Sequence, residues 1–433
     1  MAVPGAAPLA PGFAERPLWH DGVDAPVTAT GGPLPPRADV VIIGAGYCGL
    51  TAAWQFARRS RHAVVVEAED LRHGASSRNG GMVIPELKAG LHALEVRHGP
   101  LGRELVGAVF EAFDLVEELV ADKTVDCDFA RNGGLLLAHH PRVVAELKEE
   151  VREWTDELGV EAWFVPRDEL TAEIGTDAYY GGLVVEMTGG LQPARYHAGL
   201  AAAAKAAGAA VHDHTRARKI ERTGAGFIVE TNRGRVEAGD VLVAANAYAD
   251  GVLPKLRRRV LPIGSFIIAT EVLDPGLAKE LSPRGRMFFD TKNFVYYWRV
   301  TPDGRMAFGG RTSLSPTTVP KSRDILYREM VRIHPQLAGV PLEYSWGGNV
   351  AITFDRLPHA GRLDGVAFAT GCNGTGVALA TWFGKRMAEW MCGEEDAPVF
   401  SRIKFPAVPF HALRAAYLPL VGQWFRARDR MGR

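Results

Sequence analysis

Three hydrophobic patterns follow one another along this chain. Val40 to Asp70, VVIIGAGYCGLTAAWQFARRSRHAVVVEAED, predicts a buried strand, a glycine turn, a helix and a second strand that ends in acid. From about Leu87 to Val160, LHALEVRHGPLGRELVGAVFEAFDLVEELVADK and PRVVAELKEEVREWTDELG carry apolar residues at helical spacing, with RNGGLLLAHH between them as a turn into a short strand. QPARYHAGLAAAAKAAGAAVHDHT predicts an Ala-rich helix, stopped by Gly208, then a strand. FIVETNRGRVEAGDVLVAANAY predicts a hairpin turning near Asn232–Gly234, followed by a buried strand.

From Leu261 to Gly310 the pattern changes to strict alternation: SFIIATEVL, NFVYYWRV and RMAFGGR, with TPDGR as a hairpin turn. An antiparallel sheet is expected there. GVAFATGCNGTGVALATWFGKRMAEWMCG returns to strand, glycine turn and helix. Residues 1–36 are rich in Pro, Gly and Ala without periodicity, and read as an extended surface arm. The α/β pieces therefore fall at the beginning, centre and end, which predicts two interleaved domains.

Composition narrows the functions. In 433 residues, 50 basic side chains balance 50 acidic ones, which argues against nucleic acid or acidic lipid as the main partner. ARRSRH, KLRRR and RARDRMGR are short basic clusters of the kind found on solvated faces or helix ends. Neither a signal peptide nor a membrane-spanning run is expected. Cys48, Cys127, Cys372 and Cys392 have neither disulfide-framework nor metal spacing, so the expected setting is cytoplasmic, with no metal.

The first glycine turn carries the clearest chemistry. Gly44, Gly46 and Gly49 fill a G-x-G-x-x-G pattern: a tight turn, a close approach for a pyrophosphate, and close helix–strand packing. The helix that starts near Tyr47 would aim free amides and its positive end at phosphate. Glu67 ends the second strand, placed to bind a ribose hydroxyl. This grip serves NAD or FAD equally. The next loop, LRHGASSRNGGMV (residues 71–83), reads either as a backbone path beside a flat ring or as a solvent loop.

GAGYCGL, Glu67, GASSRNGG, TFDRLPHAG and GCNGTGVALATWFGK together resemble the glycine/D-amino-acid oxidase superfamily of flavoproteins. Within it, RPLWHDGVDAP, the RNGG box, YYWRVTPDGRMAFGGR and the C-terminal tail most resemble the γ-glutamylputrescine oxidase branch. The resemblance implies an α/β fold (α+β overall): a Rossmann-type FAD-binding domain interleaved with a substrate domain built on a mostly antiparallel sheet plus helices. It divides the chain into an arm (1–36), an FAD-binding domain (37–95, 190–260 and 345–395), a substrate domain (96–189 and 261–344) and a tail (396–433). It implies FAD and oxidation of a C–N bond by hydride transfer to flavin N5, giving an imine that hydrolyses; the residues carry no dependable sign of a covalent flavin link, so non-covalent FAD is expected.

By the same resemblance, Gly44, Gly46, Tyr47, Cys48 and Gly49 meet the pyrophosphate, and Glu67 with Ala68 the adenosine. Ser76, Ser77, Arg78, Asn79, Gly80, Gly81 and Met82 lie along the flavin, and Ala217 stands where a backbone contacts adenine. Gly348, Gly374, Thr375, Gly376 and Val377 meet the ring's pyrimidine edge, where a helix N-terminus favours the negative charge of reduced flavin. Two departures stand out. The family's Gly-Tyr-x-Gly-His-Gly is here Gly371-Cys372-Asn373-Gly374-Thr375-Gly376. The lysine by which the sarcosine-oxidase branch promotes reaction with oxygen is absent from Met306-Ala307-Phe308.

The catalytic candidates are Tyr297, Arg311 and His359. Alternation sends Tyr297 to the face opposite Tyr296 and Trp298, as a pocket wall or as core. Arg311 suits a substrate carboxylate or an interdomain acid. His359 titrates near the ring or is structural. Two readings stand for the tail, a membrane surface or a docking on the protein or a partner subunit of a homo-oligomer. The expected ligand is a small amine or amino acid. The rivals are an NAD-linked dehydrogenase and a flavin-bearing non-catalytic subunit.

Overall fold

A computed structural model describes residues 6–23, 29–249 and 251–432. Parts of the expected N-terminal arm, residues 1–5 and 24–28, lie outside these.

Two sheets carry the molecule. In the first, Val366–Thr370, Gly234–Val243, Arg37–Ile43, Ala63–Val66 and Ala210–His212 run parallel in that order. Their centres are continuous Val, Ile and Ala, as strands covered on both faces require. Helices Tyr47–Arg58, Pro193–Ala206 and Gly376–Met391 pack beside them. One ten-residue strand, Gly234–Val243, does two jobs. Its first half closes the hairpin with Gly226–Thr231, and its second half enters the buried parallel sheet.

The second sheet has nine strands, in the order Leu9–Ala14, Leu342–Thr353, Val260–Thr270, Met306–Gly310, Tyr296–Val300, Met287–Asp290, Gly134–Leu137, Gly181–Val185 and Ala162–Pro166. The expected alternation is present at Tyr296–Val300. Tyr296 and Trp298 enter a core with Phe288, Phe308 and Leu326, while Tyr297 faces the other way. Leu342–Thr353 spans the boundary expected at residue 345 and carries the sheet into the junction of the two halves.

The N-terminal segment departs from the extended surface arm. Leu9–Ala14 adds a parallel edge strand to Leu342–Thr353, and Leu18 and Trp19 are buried with Ile267, Ala307 and Trp346. Its prolines hide no periodicity; a single large indole with an anchored N–H is enough to bury it.

Candidate active site

A cavity of about 770 Å³ lies where the two sheets meet, within the range of cofactor and substrate sites. At one end the strand Arg37–Ile43 delivers its chain into the glycine turn. A Cβ on Gly49 would stand 1.9 Å from the Gly44 carbonyl oxygen, so only glycine lets this helix close on its own turn. The helix Tyr47–Arg58 has no side-chain cap from Gly46 and no acid in its first turn, and its start lines the cavity. Across the turn, Glu67 Oε2 accepts from the Ala45 amide at 2.9 Å, and Ala68 and Ala217 line the same end. An acid held against that turn suits ribose hydroxyls and opposes an extra phosphate.

The next stretch is the 74–82 loop, held from three sides. Ser76 Oγ accepts from the Tyr47 amide at 3.0 Å. Asn79 Nδ2 donates to Tyr47 Oη (3.1 Å) and to the carbonyls of Ala75 (3.2 Å) and Ser76 (3.0 Å), while its Oδ1 accepts from the Gly81 amide. Its carboxamide therefore braces the loop. Trp346 Nε1 donates to the Arg78 carbonyl at 2.7 Å and Trp19 Nε1 to the Asn79 carbonyl at 2.8 Å. The two indoles meet edge to face. Arg78 donates to the Gly347 carbonyl, its Nε buried without a partner, and burial lowers its pKa.

A second glycine turn closes this part of the site. Asn373 and Gly374 take φ of 51° and 104°, and the helix Gly376–Met391 starts with no side-chain cap and no acid in its first turn. Gly374, Thr375, Gly376 and Val377 line the cavity, as does Gly348. Two helix N-termini thus face one elongated space, a donor set for a ligand carrying anionic charge at separated points.

Arg311, at the end of Met306–Gly310, donates to the Asn373 carbonyl at 3.4 Å. Among the described residues no carboxylate lies within salt-bridge distance of it, so the interdomain-acid reading fails. Burial, and then Arg356, lower its pKa, leaving a cation that an anionic ligand would stabilise. Tyr297 Oη lies 3.0 Å from Ser265 Oγ, and burial raises its pKa.

Beyond Tyr297 the walls become charged. Glu86, Lys88, Glu146, Glu150, Asp290, Lys292 and Arg356 all line the space. Lys88 pairs with Glu86 at 3.1 Å and Lys292 with Asp290 at 2.8 Å. Burial, then Glu86, push Glu150 up to about 7. His139 bridges Thr291 Oγ1 (2.6 Å) and the Asp429 carbonyl (3.0 Å), tying the C-terminal helix Arg414–Met431 to this end. Sequence reasoning missed these acids. One signal was available: Glu150 shares the inward stripe of the helix Val143–Arg152 with buried Val143 and Leu147.

The structure brings together Gly44, Gly46, Tyr47, Cys48, Glu67, Ala68, Ser76, Arg78, Asn79, Gly80, Met82, Ala217, Tyr297, Arg311, Gly348, Gly374, Thr375, Gly376 and Val377. Gly49, Ser77, Gly81 and His359 are outside the lining. Gly49 acts through packing. Ser77 donates to the Arg72 carbonyl behind the loop, and Gly81 backs onto Leu191 and Arg299. His359 is corrected from catalytic candidate to brace: fully buried, it contacts the Asp355 carboxylate at 3.1 Å and stacks on Phe405 at 4.0 Å.

FAD fits this donor set. The glycine turn leaves room for a close backbone approach, Glu67 would suit the adenosine ribose, and the second helix start with the cations of Arg78 and Arg311 would suit the negative charge of the ring. Cys372 is buried, and burial pushes its thiol up to about 12, away from the nucleophilic form that a covalent attachment would use.

Comparisons with known proteins agree with the geometry. The DAO family, described as FAD dependent oxidoreductase, matches residues 39–390. The chain is 31% identical to gamma-glutamylputrescine oxidoreductase of Escherichia coli (strain K12), over 91% of this chain and 93% of that protein. It is 32% identical to the probable oxidoreductase OrdL of Rhizobium meliloti (strain 1021), over 98% and 99%. Among solved structures, glycine oxidase from Geobacillus kaustophilus superposes with a TM-score of 0.73 at 20% identity, covering 87% of this chain and 99% of that one. L-proline dehydrogenase from P. horikoshii gives 0.70 at 21%, covering 84% and 96%. These two likenesses concern the fold.

Proposed function

The chain belongs to the DAO family of FAD-dependent oxidoreductases, and from that premise we propose that it oxidises the C–N bond of an extended amine with a charged remote end, giving an imine that water hydrolyses. Membership decides the cofactor for FAD over NAD. When bound, FAD would supply the acceptor for the hydride leaving the carbon next to nitrogen.

The chain's own groups do the rest. Gly44, Gly46, Tyr47 and Cys48 would hold the pyrophosphate with backbone amides, and Glu67 the ribose. The start of Gly376–Met391 would lower the cost of negative charge nearby through its positive end, with Arg78 and Arg311 adding to it. Tyr297, held by Ser265, would form one wall against which the amine is oriented, and orientation supplies much of the rate. The surrounding apolar side chains Ile267, Leu136 and Val295 exclude water and favour an uncharged amine.

The observation that carries the substrate class is the charged far wall. Glu86, Glu146 and Glu150 stand with Lys88 and Arg356 beyond Tyr297. Acids and bases side by side suit a zwitterionic end remote from the reacting carbon. The E. coli relative is named for a substrate with such an end, a γ-glutamylated diamine. A small amino acid would leave this wall without a partner.

The test is anaerobic reduction of the purified yellow holoprotein across a panel of γ-glutamylated diamines, free diamines, glycine and proline, followed by visible absorbance. Bleaching is expected first with the γ-glutamylated amines. Equal or faster bleaching with glycine or proline removes the charged-end reading, and no bleaching with any amine removes the catalytic one.

A further inference from the structure

The C-terminal helix Arg414–Met431 is apolar on both sides. Its inner side holds Leu418, Gly422, Phe425 and Asp429. A Cβ on Gly422 would touch Phe294 and Leu314, and the Asp429 carboxylate accepts from the Asn293 amide (2.8 Å), Asn293 Nδ2 (2.7 Å) and the Phe294 amide (3.2 Å). Arg426 donates to the Thr312 carbonyl at 2.7 Å. These contacts fix the helix in rotation, so what its other side displays is determined.

That other side displays Leu413, the N-terminal cap, with Leu420, Trp424 and Met431. Steps of seven, four and seven positions place them on one face. They are 61%, 65%, 54% and 45% exposed, and Phe410 just before them is 78% exposed. Five of the ten exposed large hydrophobic side chains among the described residues therefore lie between Phe410 and Met431. Single exposed apolar residues are ordinary; a stripe of them on one helix is not.

Charge selects the occupant. Arg428 covers the Trp424 ring at 4.9 Å, and Arg430 is exposed on the same helix. Arg356 lies within electrostatic reach of Arg428, and Arg142 donates to the Met431 carbonyl at 3.1 Å. At the start of the helix His411 lies among Arg414, Arg257 and Arg258. The one acid of the helix, Asp429, is spent inward. A second copy docked on this stripe would bring like charges together. An anionic lipid surface would neutralise them while its acyl boundary covered Trp424 and Leu420.

We propose that the outer face of the C-terminal helix is a peripheral docking surface for anionic membranes, lying in the interface with Leu413, Leu420, Trp424 and Met431 immersed and the arginines at headgroup level. The neutral overall charge, which argues against acidic lipid as a partner for the whole chain, is locally overridden. The proposal stands on the tail alone and does not depend on the substrate.

The test is flotation of the holoprotein with phosphatidylglycerol–phosphatidylcholine vesicles and with phosphatidylcholine alone. Binding is expected to the anionic vesicles only, and to be lost at about 0.5 M salt. Leu420→Glu/Trp424→Glu should abolish it, and Arg428→Glu/Arg430→Glu should weaken it by at least the roughly 25-fold expected for two lost cations. An unchanged flavin spectrum and melting temperature would show that both variants are folded. No binding to anionic vesicles, or equal binding to both vesicle types, overturns the proposal. A dimer in sedimentation velocity that Trp424→Glu dissolves overturns it too, in favour of a second copy.

Discussion

The two ends of the cavity are built from different materials. The end built on the glycine turns, which we assign to the cofactor, uses backbone: amides at two helix starts, carbonyls pinned by indoles, and glycines where a side chain would collide. Its charged side chains, Glu67, Arg78 and Arg311, are few. The far end is the reverse, with Tyr297, Lys88, Glu86 and Glu150 arriving from segments far apart in the chain. A backbone-built site is set by short local motifs and tolerates little change. A side-chain-built site can be altered one residue at a time.

Substitutions test that contrast, the largest effect first. Gly49→Val should yield protein purified without FAD, because the added carbon strikes the Gly44 carbonyl; overpacking of this kind costs about 3 kcal/mol or more. The ratio of flavin to protein absorbance measures it, and a fully yellow variant would break the claim that closure of this turn is required. Glu67→Ala should weaken FAD binding by about 10- to 100-fold through lost charge-assisted hydrogen bonds, read by fluorescence titration of the apoprotein. Amine discrimination should hardly move.

Glu150→Gln probes the other end. The folded protein favours protonated Glu150, with a pKa raised to about 7, so its contribution to stability is present below the ordinary glutamate range and lost as pH rises through about 7. Glutamine should remove that loss. The variant should gain on the order of 1–3 kcal/mol over the parent between about pH 5 and pH 8, while KM for a charged-end amine rises. Identical pH profiles of unfolding would show that this carboxyl is freely solvated. The smallest effect is expected at Trp346→Phe, which deletes one hydrogen bond to the Arg78 carbonyl. FAD affinity should fall by about fivefold, with an altered visible circular dichroism.

Legibility followed the same division. Gly44, Gly46, Gly49 and Glu67 sit within one strand–turn–helix–strand, where spacing along the chain is nearly spacing in space. Gly374 to Val377 turn the strand Val366–Thr370 into the helix Gly376–Met391 in the same way, and the alternation at Tyr296, Tyr297 and Trp298 assigned their faces. The N-terminal segment was misread because Trp19 has no periodic neighbours; its burial depends on Trp346, more than three hundred residues away. His359 suggested chemistry by residue type, and its environment, Asp355 and Phe405, made it a brace. Glu150 went unremarked in a helical stretch until the fold set it beside buried Val143 and Leu147.

What the sequence determined by itself was the pair of glycine-led grips and the two kinds of sheet, since each depends on contacts between near neighbours. The tertiary structure alone decided which charges meet beyond Tyr297, what pins the 74–82 loop, and which side of the last helix is left outward. Those depend on distances between remote segments, which short-range preference along a chain does not encode.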